Sequence, residues 1–293
     1  MGKLKAIWEL MRLEHGIMIA IAILIGAYIA GKTFPNVENF ILTFCTALFL
    51  EASTFALNDY YDYEIDKKNK RIDRPLVRGD LSKNSALYLF LIFFPLGILS
   101  SFFVNFTCFI IALITAIFAI FYDAVLKKIK FVGNFFIAYV MAIPFIFGEA
   151  SILVSNNFTL LISPAVTTVA SIAFLSGVGR EIMKDVMDFE GDKTAGVKSF
   201  PKYLGERISN CIAAFFYLIA IALSFFPFFV REYIFYYNNF YYLLFIIITD
   251  VLLLWTVLEL IINKNPKFSF HRKLTLFALF IGLLGFLVGA LTS

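Results

Sequence analysis

Runs of about 20 apolar residues recur along almost the whole chain and constrain its fold more than any other feature. A helix needs about 20 predominantly apolar residues to cross the hydrocarbon core of a bilayer. Only 16% of the residues are charged, against about a quarter in soluble domains. The sequence therefore predicts an all-α, polytopic membrane helix bundle that forms a single domain over residues 1–293. We expect nine transmembrane helices, at residues 15–33, 39–58, 85–104, 106–126, 134–153, 159–182, 209–230, 239–262 and 273–291.

The positions of Lys and Arg predict how this bundle is oriented. If the N-terminus is cytoplasmic, 23 of the 25 Lys and Arg residues lie in cytoplasmic segments. Only Lys32 and Arg231 then lie on the other side. Cytoplasmic loops of membrane proteins carry such an excess of basic residues. We therefore expect a multi-pass protein of the cell membrane with its C-terminus outside. No basic patch stands apart from the membrane loops, so a nucleic-acid partner is not indicated.

One acidic motif occurs twice, each time at the cytoplasmic end of an apolar run. Residues 59–67 read "DYYDYEIDK" and residues 185–193 read "DVMDFEGDK", so that both copies have the pattern D-x-x-D-x-x-x-D-K. Four predicted spans separate the copies, which makes their helices run in the same direction through the membrane. This arrangement predicts an internal parallel repeat.

The spacing of the motif predicts a metal site. On a helix, the three aspartates of the first copy fall within an arc of about 60°, beside Asn58. The second copy has a similar arc if its helix continues past Gly191. Like charges at these spacings repel one another, and hard oxygen ligands of this kind suit Mg²⁺ shared with substrate phosphates. The candidate metal ligands are Asn58, Asp59, Asp62, Asp66, Asp185, Asp188 and Asp192.

Basic residues follow each copy of the motif and are candidates to bind an anionic group. Carboxylates, a divalent metal and Lys or Arg side chains together describe a site for a diphosphate. The candidates are Lys67, Arg74 and Arg78 after the first copy, and Lys193 and Lys198 with the second.

Several segments resemble the UbiA superfamily of intramembrane prenyltransferases. The segments are "NDYYDYEID" and "DFEGD", followed by "RPLVRG" and "GVKSFPKYLG". The resemblance implies Mg²⁺-dependent transfer of a prenyl group from a prenyl diphosphate to a lipid-like acceptor near the cytoplasmic face. It gives catalytic roles to Asp62, Asp66, Asp188 and Asp192. It also adds Tyr122 and Lys127, in "YDAVLKK", to the candidate substrate-binding residues. In the first span the chain has "RLEH" where many members have Arg-Pro-x-Asn.

The acceptor is the part of the function that the residues specify least. "NDYYDYEID" and "REIMKDVMDFEGD" are most similar to an archaeal branch of the family. That branch transfers a geranylgeranyl group from geranylgeranyl diphosphate to geranylgeranylglyceryl phosphate, which forms the second ether bond of archaeal membrane lipids. An aromatic prenyltransferase of quinone biosynthesis is the alternative. A secondary transporter is disfavoured, because transporter sites lie near the bilayer midplane and these acids lie at helix ends. No pattern specifies an oligomeric state.

Overall fold

The chain forms an all-α bundle in a computed structural model that describes residues 2–68, 70–126, 129–153, 157–194 and 196–293, except the side chains of Glu14, Lys193 and Thr194. The helices of these residues are α1 (Lys3–Met11), α2 (Gly16–Gly31), α3 (Val37–Lys68), α4 (Pro75–Arg78), α5 (Lys83–Val104), α6 (Phe106–Ala124), α7 (Lys130–Ser151), α8 (Pro164–Met187), α9 (Phe189–Thr194), α10 (Phe200–Leu204), α11 (Glu206–Phe229), α12 (Phe240–Ile262) and α13 (Phe268–Leu291).

Eight of the described helices are long and apolar enough to cross a membrane, and a ninth span results if α1 and α2 are counted together. The fold class is therefore confirmed. The first predicted span, residues 15–33, differs from the structure, because α2 has only 16 residues and a length of about 24 Å. Helix α1 precedes it at an angle of 46°.

Polar residues set the ends of several spans. Asn105 separates α5 from α6, and its side chain accepts a hydrogen bond of 2.8 Å from the backbone N–H of Cys108. Ser163 and Asn239 cap α8 and α12 in the same way. Side-chain oxygens at these positions satisfy N–H groups that a helix leaves without partners in its first turn. The two nearly fused spans predicted at 85–104 and 106–126 are thus divided at a single residue.

The predicted repeat is visible in the order and packing of the helices. Helix α3 packs against α5 in the first half, and α8 packs against α11 in the second. A short helix follows each motif-bearing helix: α4 starts at Pro75 and α10 has Pro201 in its first turn. The glycines that end them, Gly79 and Gly205, have φ angles of 81° and 79°. Corresponding elements of the two halves therefore meet at the same end of the bundle.

Helices α2 and α7 come into backbone contact. A Cβ atom on Gly26 would lie 1.9 Å from the carbonyl oxygen of Phe145, and one on Gly148 would lie 2.1 Å from that of Ile23. Small residues at helix interfaces allow this close approach in membrane proteins. Both α3 and α8 pack against α2 and α7, which fixes where the two motif-bearing helices end relative to each other.

Candidate active site

The first motif lies entirely within α3, which continues to Lys68, ten residues beyond the predicted end of the span at residue 58. Its side chains differ in exposure, since Asp59 is 3% exposed and Asp66 is also buried, whereas Asp62 is half-buried. Arg74 connects the outer two carboxylates. Its Nη1 donates to Asp59 Oδ1 at 3.1 Å, and its Nε lies 3.7 Å from Asp66 Oδ2.

A second arginine reaches Asp59 from the start of the chain. Arg12 lies between α1 and α2 with a φ angle of 50°, a left-handed conformation that non-glycine residues rarely adopt. Its Nη2 is 3.5 Å from Asp59 Oδ1, and its guanidinium lies 4.1 Å from the centre of the Phe55 ring. Two arginines thus neutralise one buried carboxylate, and the break between α1 and α2 positions one of them.

The second motif has a different backbone from the first. Helix α8 ends at Met187, Asp188 follows with φ −95° and ψ 3°, and α9 begins at Phe189. The continuous helix past Gly191 that would place these aspartates on one arc is therefore not present. Asp185 is 3% exposed and accepts a hydrogen bond of 2.7 Å from Asn134 Nδ2. Asp188 is exposed.

Lys130, the first residue of α7, joins the ends of the second motif. Its Nζ lies 2.5 Å from Asp192 Oδ2 and 3.5 Å from Asp185 Oδ1. The turn at Asp188 keeps these two carboxylates near each other, because the backbone N–H of Asp192 donates to the carbonyl of Asp188 at 3.0 Å. The first and third aspartates of each copy therefore share one cation, Arg74 in one case and Lys130 in the other.

Two neighbouring residues near the end of α6 lie at the motifs, one through a hydrogen bond to the first copy and one through the charges of both copies. Asn58 Nδ2 donates to Asp123 Oδ1 at 2.7 Å, which leaves the amide oxygen of Asn58 as its metal-binding atom. The neighbouring Tyr122 is within electrostatic range of Asp62 and Asp185, one acid from each copy. Tyr122 stacks on Phe136 with ring centres 5.2 Å apart.

The loop after α3 adds positive charge to the same site. Arg71 donates to both carboxylate oxygens of Asp73, and these hydrogen bonds are the main reason that the pKa of Asp73 is lowered to about 2. The pKa of Arg71 is raised, first by the same hydrogen bonds and further by the charges of Asp66 and Asp188. The pKa of Arg71 is therefore influenced by acids of both motifs.

The remaining cations of the predicted set have different surroundings. Arg78 donates to Glu9, Asp80 and the backbone carbonyls of residues 72 and 73, so its donors hold the loop and α1 together rather than face the site. Lys67 and Lys198 are exposed. Lys127 lies outside the described residues, as does the side chain of Lys193.

Four polar residues of the site were not identified from the sequence. They come from segments far along the chain from the motif that they contact, so neither spacing nor composition indicates them. Two of them lie in segments where the resemblance to the family is found or departs: Asp123 lies within "YDAVLKK", and Arg12 begins "RLEH". The four residues are Arg12, Asp123, Lys130 and Asn134.

The donor set of the site suits Mg²⁺ with a diphosphate. Its donors are carboxylate and amide oxygens, and no three His, Cys, Asp or Glu side chains among the described residues are grouped so as to hold a metal ion on their own. Mg²⁺ commonly uses one or two carboxylates and completes its shell with water and substrate phosphates. The buried Nε of Arg74 makes no hydrogen bond within the described part of the chain, so one donor is available to an anion.

Comparisons with known proteins identify the family of the chain. The profile of the UbiA prenyltransferase family matches residues 19–284. The chain is 43% identical over 289 residues to a digeranylgeranylglyceryl phosphate synthase of Archaeoglobus fulgidus, covering 98% of this chain and 96% of the relative. It superposes with a TM-score of 0.78, at 33% identity and full coverage of both chains, on a solved structure from work on digeranylgeranylglyceryl phosphate synthase in membranes.

A more distant structure shares the fold with ligands bound. It is a UbiA homolog from Archaeoglobus fulgidus bound to DMAPP and Mg²⁺, with a TM-score of 0.56 at 18% identity over 96% of this chain and 99% of that one. The family match extends over nearly all of the helix bundle, including both motifs. This chain is a multi-pass membrane protein that belongs to the UbiA prenyltransferase family.

Proposed function

We propose that this protein transfers the geranylgeranyl group of geranylgeranyl diphosphate to geranylgeranylglyceryl phosphate and so forms the second ether bond of archaeal membrane lipids. The observation that carries the proposal is the full-length 43% identity to the Archaeoglobus fulgidus synthase, taken with two aspartate motifs that border one cationic site. The site lies near the cytoplasmic face of the cell membrane. The N-terminus is on that side and the C-terminus is outside. Residues 1–293 form one domain.

The diphosphate half of the reaction follows from the described side chains. Bound Mg²⁺ supplies positive charge that stabilises the leaving diphosphate. The residues that would hold it are Asn58, whose amide oxygen remains after its NH2 group donates to Asp123, and the second and third aspartates of each copy, Asp62, Asp66, Asp188 and Asp192. Asp59 and Asp185 have fixed cationic or amide partners and are 3% exposed. We therefore assign these two the role of holding Arg12, Arg74, Lys130 and Asn134 in place.

The cations of the site stabilise the charge that develops during ionisation. The bond between the allylic carbon and the diphosphate oxygen breaks, and the diphosphate leaves with the electron pair. Arg71 and Arg74 are placed to donate hydrogen bonds to that group, and charge-assisted donors fixed in advance are among the largest contributions to catalysis.

A row of aromatic rings, Tyr122, Phe136 and Tyr139, leads from this end into the bundle. Aromatic faces attract a carbocation, and the apolar interior excludes water that would quench it.

The second bond forms when the acceptor hydroxyl oxygen attacks the allylic carbon. Its proton goes either to the departing diphosphate or to a motif carboxylate. A glycerol phosphate acceptor carries its own anionic group, so the site must accommodate a diphosphate and a monophosphate together. Lys67 and Lys198 are exposed at the same end of the bundle and are available to that second group, whereas Arg78 is not.

Product analysis tests the proposed acceptor. Purified protein in detergent is incubated with Mg²⁺, geranylgeranyl diphosphate and an equimolar mixture of geranylgeranylglyceryl phosphate and 4-hydroxybenzoate, and the products are identified by mass spectrometry. We expect the double ether phosphate to be the main product and the prenylated benzoate to be a trace. Faster prenylation of the benzoate would replace this proposal with an aromatic prenyltransferase. Uptake of a solute by proteoliposomes without any prenyl transfer would contradict both.

A further inference from the structure

Lys130 is an unusual residue for the place it occupies. It is the first residue of α7, and the N-terminus of a helix carries a partial positive charge that disfavours a nearby cation. Its ammonium group is nevertheless held in a largely buried position, with a side chain 25% exposed, between Asp192 and Asp185. The two carboxylates thus account for its placement, and the helix does not.

The first motif meets the same electrostatic requirement with a residue from a different part of the fold. Arg74 comes from the loop after its own motif and contacts Asp59 and Asp66, the first and third aspartates. Lys130 comes from the helix before its motif and contacts the first and third aspartates of the second copy. Because the two cations are not at corresponding positions in the repeat, their shared contacts do not follow from duplication. Each copy requires one cation between those two carboxylates.

The partners of Lys130 differ in how firmly they are bound elsewhere. Asp185 is 3% exposed and also accepts a 2.7 Å hydrogen bond from Asn134. Asp192 is half-buried; the turn at Asp188 places it near Asp185, and Lys130 is the cation that its carboxylate contacts. An ammonium group on a flexible four-carbon chain exchanges partners more readily than a guanidinium held by paired hydrogen bonds. Asp192 is therefore the carboxylate that can leave Lys130 for a metal ion.

We propose that Lys130 is a positioning residue that acts as an internal counter-cation of the second motif: it holds Asp192 beside Asp185 until Mg²⁺ binds Asp192, and it then faces the diphosphate. The inference rests on the proposed Mg²⁺–diphosphate site but is independent of the acceptor. It predicts that Lys130 competes with Mg²⁺ in the absence of any prenyl substrate.

Mg²⁺ binding without substrate tests the competition. The unfolding temperature of purified protein is measured against Mg²⁺ concentration, because a ligand of the folded state raises that temperature. Lys130→Met should lower the midpoint Mg²⁺ concentration by about fivefold, since it removes a competing charge from a partly buried site. Lys130→Arg should keep the midpoint at or above that of the unmodified protein, because a guanidinium retains the competing charge and exchanges partners less readily. Lys202→Met is the matched control, because Lys202 is exposed and contacts only the carbonyl of Gly196 among the described residues. A midpoint that is unchanged or higher in Lys130→Met overturns the proposal.

A second measurement uses the unmodified protein and so does not depend on the folding of a variant. Lysines are reductively methylated with and without Mg²⁺, and the extent of modification at each is read by peptide mass spectrometry. Mg²⁺ alone should increase methylation of Lys130 at least about threefold, because its ion pair with Asp192 is replaced, and should leave Lys202 unchanged. Equal methylation of Lys130 in both conditions contradicts the proposal. Neither readout involves transfer, so failure here is distinct from failure of the proposed function.

Discussion

At the scale of residues, the three aspartates of each motif have three different surroundings. The first, Asp59 or Asp185, is 3% exposed and has fixed partners. The second, Asp62 or Asp188, is more exposed, and the third shares a cation with the first. The sequence pattern predicts all three equally as metal ligands, because periodicity places them on one face but says nothing of what lies opposite. Arg74 could be predicted since it is near in sequence, whereas Arg12 and Lys130 are brought in by folding alone.

Removing the second aspartate of either motif should abolish most activity without weakening the fold. Asp62→Asn and Asp188→Asn should each lower turnover by about a hundredfold or more, the effect of losing one group that stabilises transition-state charge. The unfolding temperature of the metal-free protein should not fall, because each change removes a charge from a cluster of like charges. The matched control is Glu64→Gln, an exposed acid within the first motif that should keep normal turnover. An active but unstable Asp62→Asn variant would assign this residue to the fold instead.

Removing the first aspartate should instead weaken the fold. Asp59→Asn removes a buried carboxylate that Arg12 and Arg74 both contact, and Asp185→Asn removes one of the two carboxylates that Lys130 contacts. Breaking such a pair is costly, and because these cations keep some contact with solvent we expect a loss of about 2 kcal/mol in the free energy of unfolding. Denaturation in detergent without Mg²⁺ measures it. Stability equal to that of Asp62→Asn would show that the two positions do not differ.

At the scale of elements, hydropathy locates spans but not the ends of helices. Helix α3 continues ten residues beyond its apolar part, since residues 59–68 contain neither Gly nor Pro. Helix α8 stops at Met187, and Asp188 separates it from α9, which begins at Phe189. The same acidic pattern therefore has two backbone conformations. The short α2 was predicted as a full span because the apolar run at 15–33 includes the turn that follows it.

The contact between α2 and α7 gives a graded prediction for glycine substitutions. Gly148→Ala should destabilise the protein by about 1–3 kcal/mol or prevent folding, because its Cβ would meet a backbone carbonyl. Gly177→Ala should cost less, since its Cβ would lie 3.0 Å from the Met141 side chain and 3.1 Å from the Ala138 backbone, both farther than the carbonyl that faces Gly148. Gly191→Ala should be neutral, because nothing lies within 4 Å of its Cβ position. Unfolding temperatures in one detergent give the order, and a neutral Gly148→Ala would contradict the packing of these helices.

At the scale of the whole molecule, eight of the nine spans could be predicted from runs of apolar residues, and the repeat from the duplicated motif, because both are patterns along the chain. Lys and Arg predict the orientation, which labelling of intact cells tests. With the three native cysteines replaced, cysteine is introduced at the exposed positions Glu232, between α11 and α12, or Lys202, in the short helix α10 before α11. A membrane-impermeant maleimide should label the Glu232→Cys variant and not the Lys202→Cys variant. The reverse result would invert the predicted topology.

Both aspartate motifs are proposed to hold one metal–diphosphate group. The most direct test is to locate Mn²⁺, a substitute for Mg²⁺ with a strong anomalous signal, in crystals of the protein with a non-hydrolysable thio analogue of geranylgeranyl diphosphate. The account predicts Mn²⁺ bridging the diphosphate to Asp62 or Asp66 on one side and to Asp188 or Asp192 on the other. Mn²⁺ bound to one motif alone, with the diphosphate out of reach of the second, would contradict it.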